Sequence, residues 1–534
     1  MAAAAKPKTI VVVGGGITGL AAAYYLRKFA GAQGLPARVA IVEASERLGG
    51  KIETLRKDGF VIEKGPDSFL ARKKAILDLA VDLGIEDELV PINPSGKKSY
   101  IAFRGKLHPM PDGLMLGIPT EIAPMLRTGL LSTAGKLRAG LDFVLPARKE
   151  GGDESIGDFL TRRLGREIVE RIAEPLLAGI YAGELDKLSL MATFPQFREA
   201  EIKHGSLILG MRRAMRRRPA PAAGEGGAAG HPVRAGQSGQ SEQPDRAGHA
   251  ASRPGRDGLA GQTVPSPADA VLARFKGAPF LNFRRGLMTI VEALERELAG
   301  AEWRRGRRVT VLRKGAAAAS VEPGSRYTVV FDDGEALEAD AVVVTAPAYD
   351  AEALLKDHVD CGMLRAVRYA SVANVVLAFD KASFGQEFAG SGFLVPRTEG
   401  RQITACTWTS TKWLHTSPPD KVLLRCYVGR SGDEDAVSLP DDQLIRLVRR
   451  DLEELIGVTA APVMTEITRL HRSMPQYPVG HVEAMRDFRR KLAETLPGVW
   501  TAGAAFDGIG LPDCIRQARE TAEAAIRELR GSIS

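Results

Sequence analysis

The stretch Thr9-Ile10-Val11-Val12-Val13-Gly14-Gly15-Gly16-Ile17-Thr18-Gly19 decides how the rest of the chain is read. Its first five residues are all β-branched, the pattern of a buried strand. Three glycines follow, and Ile17–Phe29 then runs as an Ala- and Leu-rich helix pattern. A strand feeding a Gly-x-Gly-x-x-Gly turn into a helix is the context in which that motif binds a dinucleotide. Gly14 permits the tight turn, Gly16 lets backbone approach a pyrophosphate, and Gly19 lets the helix pack closely. The helix start offers phosphates its unsatisfied N–H groups and the positive end of a dipole. Glycine-rich turns are common, so the six residues alone are a weak signal. Arg38–Glu43 reads as a second strand, ending at Glu43, 24 residues past Gly19. A carboxylate there accepts ribose hydroxyls and repels a 2′-phosphate, which favours FAD or NAD over NADP.

Working outward, Glu43-Ala44-Ser45-Glu46-Arg47-Leu48-Gly49-Gly50-Lys51 places two adjacent glycines just past the second strand. Such a loop can lie flat on a diphosphate, with Arg47 or Lys51 neutralising its charge. Gly65-Pro66-Asp67-Ser68 forms a rigid turn before an apolar stretch read as a helix from near Phe69. That turn either presents N–H groups and Ser68 to a flavin ring or simply caps the helix. Near the other end, Gly503, Gly508, Ile509, Gly510 and Leu511 precede a helix pattern over Cys514–Arg530. A second helix N-terminus beside a flavin would stabilise negative charge developing at its N1–C2=O edge. Both chain ends then serve one site, and the cofactor domain is discontinuous.

Composition bounds the rest. The 534 residues are 44% hydrophobic and 26% charged, ordinary for a globular protein, with a net charge of +8. That balance suits anionic small molecules, nucleic acid or a lipid surface without choosing among them. The segment Arg216–Ala268 stands apart: 10 Gly, 7 Pro and 11 Ala, no aromatic residue, and seven Arg against four acids. It is expected to be an unstructured insertion, because it cannot bury enough apolar surface to order itself. Without its +3 the case for nucleic acid is weak. Four widely spaced cysteines fit a reducing compartment rather than a disulfide framework. No signal-peptide pattern and no run long enough to span a bilayer is present. A cytoplasmic protein with at most peripheral membrane contact is expected. Tyr327–Pro347 reads as a meander, Tyr327–Phe331 turning at Asp332-Asp333-Gly334 into Ala341–Val344.

Glu43-Ala44-x-x-Arg47-x-Gly49-Gly50 after a dinucleotide fingerprint resembles the flavin-dependent amine oxidase superfamily. Phrases along most of the chain are similar to the bacterial porphyrinogen oxidases of haem synthesis. They include Glu63-Lys64-Gly65-Pro66-Asp67-Ser68-Phe69, Leu107-His108-Pro109-Met110-Pro111, Glu174-Pro175-Leu176-Leu177-Ala178-Gly179 and Gly510-Leu511-Pro512-Asp513-Cys514. The likeness is nearest the Gram-positive branch that oxidises coproporphyrinogen III, rather than the branch that oxidises protoporphyrinogen IX.

The resemblance implies an α/β fold: a discontinuous, Rossmann-like FAD domain of glutathione-reductase type, an α+β substrate domain and a helical domain. The implied divisions are 6–85, 271–347 (with the meander) and 490–534 for FAD, 86–210 for the mainly helical part, 211–270 for the insertion and 348–489 for substrate. FAD contacts are implied at Gly14–Gly19, Glu43, Ala44, Gly65–Ser68, Val309, Trp408 and Ile509–Leu511. Val309 and Trp408 read equally well as strand core positions. The implied reaction is a six-electron aromatisation in three rounds, with O₂ as acceptor and H₂O₂ as product. A porphyrinogen carrying four propionates calls for cations, and Arg72, Lys73 and His204 are the candidates. No acid–base dyad, metal set or Ser/His/Asp constellation is legible, so no catalytic side chain is named. Protoporphyrinogen IX oxidation is the alternative, followed by a flavin-binding regulatory protein docking through its basic segment.

Overall fold

The computed structural model describes residues 6–149, 151–216, 266–315 and 326–531. Five parallel strands form the central sheet, in the order Glu302–Arg305, Ala37–Glu43, Lys8–Val13, Ala341–Val344 and Val499–Thr501. Side chains alternate across a strand. Ile10 and Val12 therefore enter a core built with the helices Ile17–Ala32, Met288–Glu297 and Leu511–Gly531. Val11 and Val13 enter a second core on the opposite face, against Tyr327–Phe331, Ala348–Leu355 and His481–Thr495. This three-layer arrangement agrees with the Rossmann-like domain that the resemblance implies.

The second unit is a seven-stranded mixed sheet in the order Met464–Gln476, Arg368–Asp380, Lys421–Val428, Ile403–Trp408, Gly392–Leu394, Ser99–Phe103 and Lys106–Pro109. Helix Asp441–Ile456 covers one face, burying Leu444, Val448, Leu452 and Leu455 there. A third core gathers helices from Ile122–Arg127 to Leu207–Arg216, together with Tyr477. Ile156, Phe159, Leu160 and Leu164 are all buried in it, as their helical spacing predicts.

Several expectations need correction. Ala341–Val344 does not close the meander: it pairs in parallel with Lys8–Val13, and Ala336–Ala339 takes its place beside Tyr327–Phe331. Phe69–Leu70 is not a helix start but a short strand against Phe280–Phe283. Phe69 packs on Phe283 there, with ring centroids 5.9 Å apart, and the helix follows only at Lys74–Asp82. Both edges of the expected insertion are helical, in Leu207–Arg216 and in Pro267–Arg274, which a Ser266–Asp269 capping box starts. The stretch between them, 217–265, lies outside the described residues. Two strands from the expected 86–210 part, Ser99–Phe103 and Lys106–Pro109, join the seven-stranded sheet. Helices Ala348–Leu355 and His481–Thr495, expected with the substrate domain, pack instead under the five-stranded sheet.

Candidate cofactor and substrate site

Three of the five parallel strands, Lys8–Val13, Ala37–Glu43 and Val499–Thr501, end in loops singled out above, at the edge where open α/β sheets bind ligands. Gly14 sits at φ +113°, which only glycine adopts without strain. A Cβ on Gly19 would lie 1.8 Å from Gly14 O, so the helix is seated directly on its own turn. Gly15 N–H donates to Glu43 Oε2 at 2.7 Å, while Ser45 donates N–H and hydroxyl to Oε1, each at 2.8 Å. Gly49 N–H donates to Gly15 O, and Gly16 and Gly50 meet backbone to backbone. Gly306 and Arg307 N–H groups bond Ser45 O and Glu43 O, which ties the segment leading to Val309 to the end of strand Ala37–Glu43. At the far end Gly503 lies against Thr18 and Thr345, its N–H donating to Gln517 Oε1 at 3.1 Å.

This lining fits a dinucleotide. The helix Ile17–Ala32 starts at Gly16 with no side-chain cap and no acid in its first turn, leaving N–H groups for an anion. A Cβ on Gly16 would meet nothing closer than Gly50 Cα at 3.8 Å, so its side lies open to a ligand. Lys51 is solvent-accessible yet enclosed by protein, and the enclosure lowers its ammonium pKa. Its Nζ lies 5.9 Å from the centroid of Tyr369. Arg47 turns inward instead, donating to Leu48 O, Gly50 O and Ile52 O and so stapling its own loop.

Gly65–Ser68 meets that loop from the other side, since a Cβ on Gly65 would lie 1.8 Å from Lys51 O. Ser68 does not cap a helix; its hydroxyl donates to Asp67 Oδ1 at 2.7 Å. Two carboxyls here titrate in opposite directions. Glu63 is buried, and burial pushes it from 4.5 up to about 7, against bonds from Leu287 N–H, Thr54 and Asn282 and the charge of Arg425. Burial would raise Asp67 as well, but Lys412 and Arg425 outweigh it and hold the carboxyl at about 2. Asn374, Lys412 and Arg425, all from the second sheet unit, are functional candidates that sequence reasoning missed.

Among the substrate candidates, Lys73 ion-pairs with Asp513 in the first turn of Leu511–Gly531. The second helix N-terminus therefore faces its own carboxylate, neutralised by Lys73. Arg72 is exposed two residues before helix Lys74–Asp82. His204 lies apart from these, 2.8 Å from Arg213 in the helical unit. Trp408 is 3% exposed and stacks on Phe388 with ring centroids 4.3 Å apart, so its indole is a core group of the second sheet. No cluster able to hold a metal occurs among the described residues.

The family described as flavin containing amine oxidoreductase matches residues 17–526. This chain belongs to that family. It is 43% identical to the coproporphyrinogen III oxidase of Bacillus subtilis, with 98% of each chain covered. Against the coproporphyrinogen III oxidase of Staphylococcus aureus it is 37% identical, over 98% of this chain and all of that one. A crystal structure from Exiguobacterium sp. 255-15, assigned as a protoporphyrinogen oxidase, superposes with a TM-score of 0.78 at 34% identity, covering 98% of this chain and 99% of that one. FAD is thus the cofactor of this chain. The FAD implied by the resemblance agrees with this flavoprotein family.

Proposed function

We propose that this protein oxidises coproporphyrinogen III to coproporphyrin III, using FAD and three molecules of O₂ and releasing three of H₂O₂. The observation carrying this reading is the end-to-end 43% identity to a coproporphyrinogen III oxidase, across both glycine-lined chain ends and the sheet between them. Six hydrogens leave the substrate, two per O₂ consumed. Bound FAD supplies the two-electron oxidation at each round.

The chain's own residues bind and orient. Gly14–Gly19 and the uncapped helix start take the diphosphate, Glu43 the ribose, and Gly65–Ser68 with Ile509–Leu511 the flavin ring. Lys51 answers anionic charge from inside the cleft. Lys73 balances Asp513, so that the positive end of Leu511–Gly531 acts on the ring rather than on its own carboxylate alone. Arg72, exposed just ahead of helix Lys74–Asp82, is the cation we assign to a propionate.

We place the protein in the cytoplasm. No helix among the described residues is long and apolar enough to cross a membrane. The exposed Ile122, Leu126, Leu137 and Val144 mark where peripheral contact with a lipid surface would occur. Side-by-side turnover of the tetrapropionate and dipropionate porphyrinogens under air, followed by porphyrin fluorescence and H₂O₂ release, tests the assignment. A higher kcat/KM for coproporphyrinogen III is expected. A preference for protoporphyrinogen IX would reverse it.

A further inference from the structure

The turn from Lys64 to Ser68 is gripped by side chains that lie more than 300 residues away in sequence. Asn374 Nδ2, on strand Arg368–Asp380, donates to Lys64 O at 2.8 Å. Lys412 Nζ, from the short helix Thr409–Lys412, reaches Asp67 Oδ2 at 3.1 Å. Between them Arg425, on strand Lys421–Val428, donates through a terminal guanidinium nitrogen to Gly65 O. From the cofactor domain the turn receives the Lys64 N–H to Glu53 O bond and the close seat of Gly65 on Lys51 O.

Arg425 is an unusual residue to find there. It is 3% exposed, in the middle of a strand whose neighbours Leu423, Leu424 and Cys426 are core residues. Its guanidinium lies 4.9 Å from the centroid of Tyr427, and its Nε has no hydrogen-bond partner among the described residues. Arg425 also lines a small cavity of about 10 Å³, together with Glu63, Asp67, Asn282 and Trp413. A buried guanidinium so incompletely bonded is a poor stabiliser, since an apolar side chain of similar size would serve the fold as well. What its position does supply is a fixed donor under Gly65 and a positive charge that water does not screen.

We propose that Arg425 is a positioning residue for the flavin: it sets where the Gly65–Ser68 turn stands, and its charge, with that of Lys412, favours the reduced, anionic ring. The proposal rests on the reading that this turn faces the flavin. Two cations stand against Asp67 here, and Glu63, the next carboxyl along the chain, is held largely protonated below neutral pH by its burial. The local excess is therefore positive. Through this contact the substrate-domain sheet, rather than the nucleotide-binding unit, governs part of the cofactor's environment.

The test uses the purified holoenzyme and the variants Arg425→Lys, Arg425→Gln and Pro66→Gly, the last loosening the turn itself. The flavin midpoint potential and the rate of FAD release are measured for each. Arg425→Gln is expected to move the potential negative and to release FAD about tenfold faster, the worth of one hydrogen bond of roughly 1.4 kcal/mol. Arg425→Lys keeps the charge and the fold, so its potential stays near that of the parent while FAD still leaves faster. A purely structural arginine would not separate the two readouts. Parental potential and release rate in both Arg425 variants, with Pro66→Gly shifting them, would overturn the proposal and leave the turn at the flavin. If Pro66→Gly shifts neither, the flavin-facing reading of the turn fails, and the proposal with it. Should Arg425→Gln not fold, Arg425→Lys decides through both readouts: faster FAD release at a parental potential supports the proposal, and a parental release rate or a shift of both together overturns it.

Discussion

Two glycine turns hold the loop Gly49–Lys51 between them, and they are kept in place by opposite means. Gly14–Gly19 is a structure of absent side chains. Its positive φ, its 1.8 Å approach of a notional Cβ to Gly14 O and its contact with Gly50 are all backbone on backbone. Gly65–Ser68 shares one such approach, onto Lys51 O, but is otherwise fixed by Asn374, Arg425 and Lys412. The first turn is set within its own domain, by its own backbone with Glu43, Gly49 and Thr345, the second largely by the other sheet unit. A turn of the first kind is rigid as soon as its strand and helix form. One of the second kind stays coupled to the sheet beneath it, and to the protonation of the carboxyls around it.

The sharpest way to break this contrast is Gly19→Ala. Its methyl would enter the space of a main-chain oxygen within the same turn, where no flexible side chain can yield. A cost of about 3 kcal/mol or more is expected, with helix Ile17–Ala32 lifted off its turn. The protein should purify colourless and melt well below the parent. Flavin absorbance and a thermal melt check both.

The second turn is expected to respond to pH. Glu63 has a folded pKa of about 7 against an ordinary 4.5. The folded state therefore binds that proton more tightly than the unfolded chain. Its contribution to stability is complete below about pH 4.5 and is lost as pH rises through 7, amounting to about 3 kcal/mol. Asp67, held at about 2, runs the other way, and its share fades only as pH falls from about 4 towards 2. Denaturant midpoints measured from pH 5 to 8 should fall with rising pH. In Glu63→Gln that slope should flatten; an unchanged slope would assign the loss to other groups.

How much of this is legible in the sequence follows the same division. The strand–turn–helix at Thr9–Phe29 is readable almost to the residue, because its β-branched run, its glycines and its helical spacing lie in one contiguous stretch, even though the strand's partner Ala341–Val344 is far off in sequence. The C-terminal helix is readable for the same reason, although it begins at Leu511, ahead of the expected Cys514. Phe69–Leu70 reads as helix, wrongly, because its partner Phe280–Phe283 lies some two hundred residues away. The grip on Gly65–Ser68 is invisible on the same ground. A signal does exist: Arg425 interrupts the apolar run Val422-Leu423-Leu424-Arg425-Cys426-Tyr427-Val428, and Asn374 interrupts Ala373-Asn374-Val375-Val376. A charge or amide inside a buried strand asks for a partner, and each of these has one on the same turn. What the pattern does not disclose is which turn.

The smallest effect on the fold, and the cleanest separation of ligand from scaffold, is expected at Gly16. Its φ of −72° suits any residue, and a Cβ there would stand 3.8 Å from Gly50 Cα, an ordinary contact. Gly16→Ala should therefore change the stability of the FAD-free protein by no more than about 0.5 kcal/mol. The same methyl would occupy the side from which a pyrophosphate approaches the helix start, so FAD affinity should drop. A parental melt in the FAD-free form together with weakened FAD binding would assign Gly16 to the ligand and Gly19 to the scaffold. If Gly16→Ala binds FAD as the parent does, the diphosphate does not lie against Gly16. The first turn would then be a packing device like the second, built from backbone instead of charge.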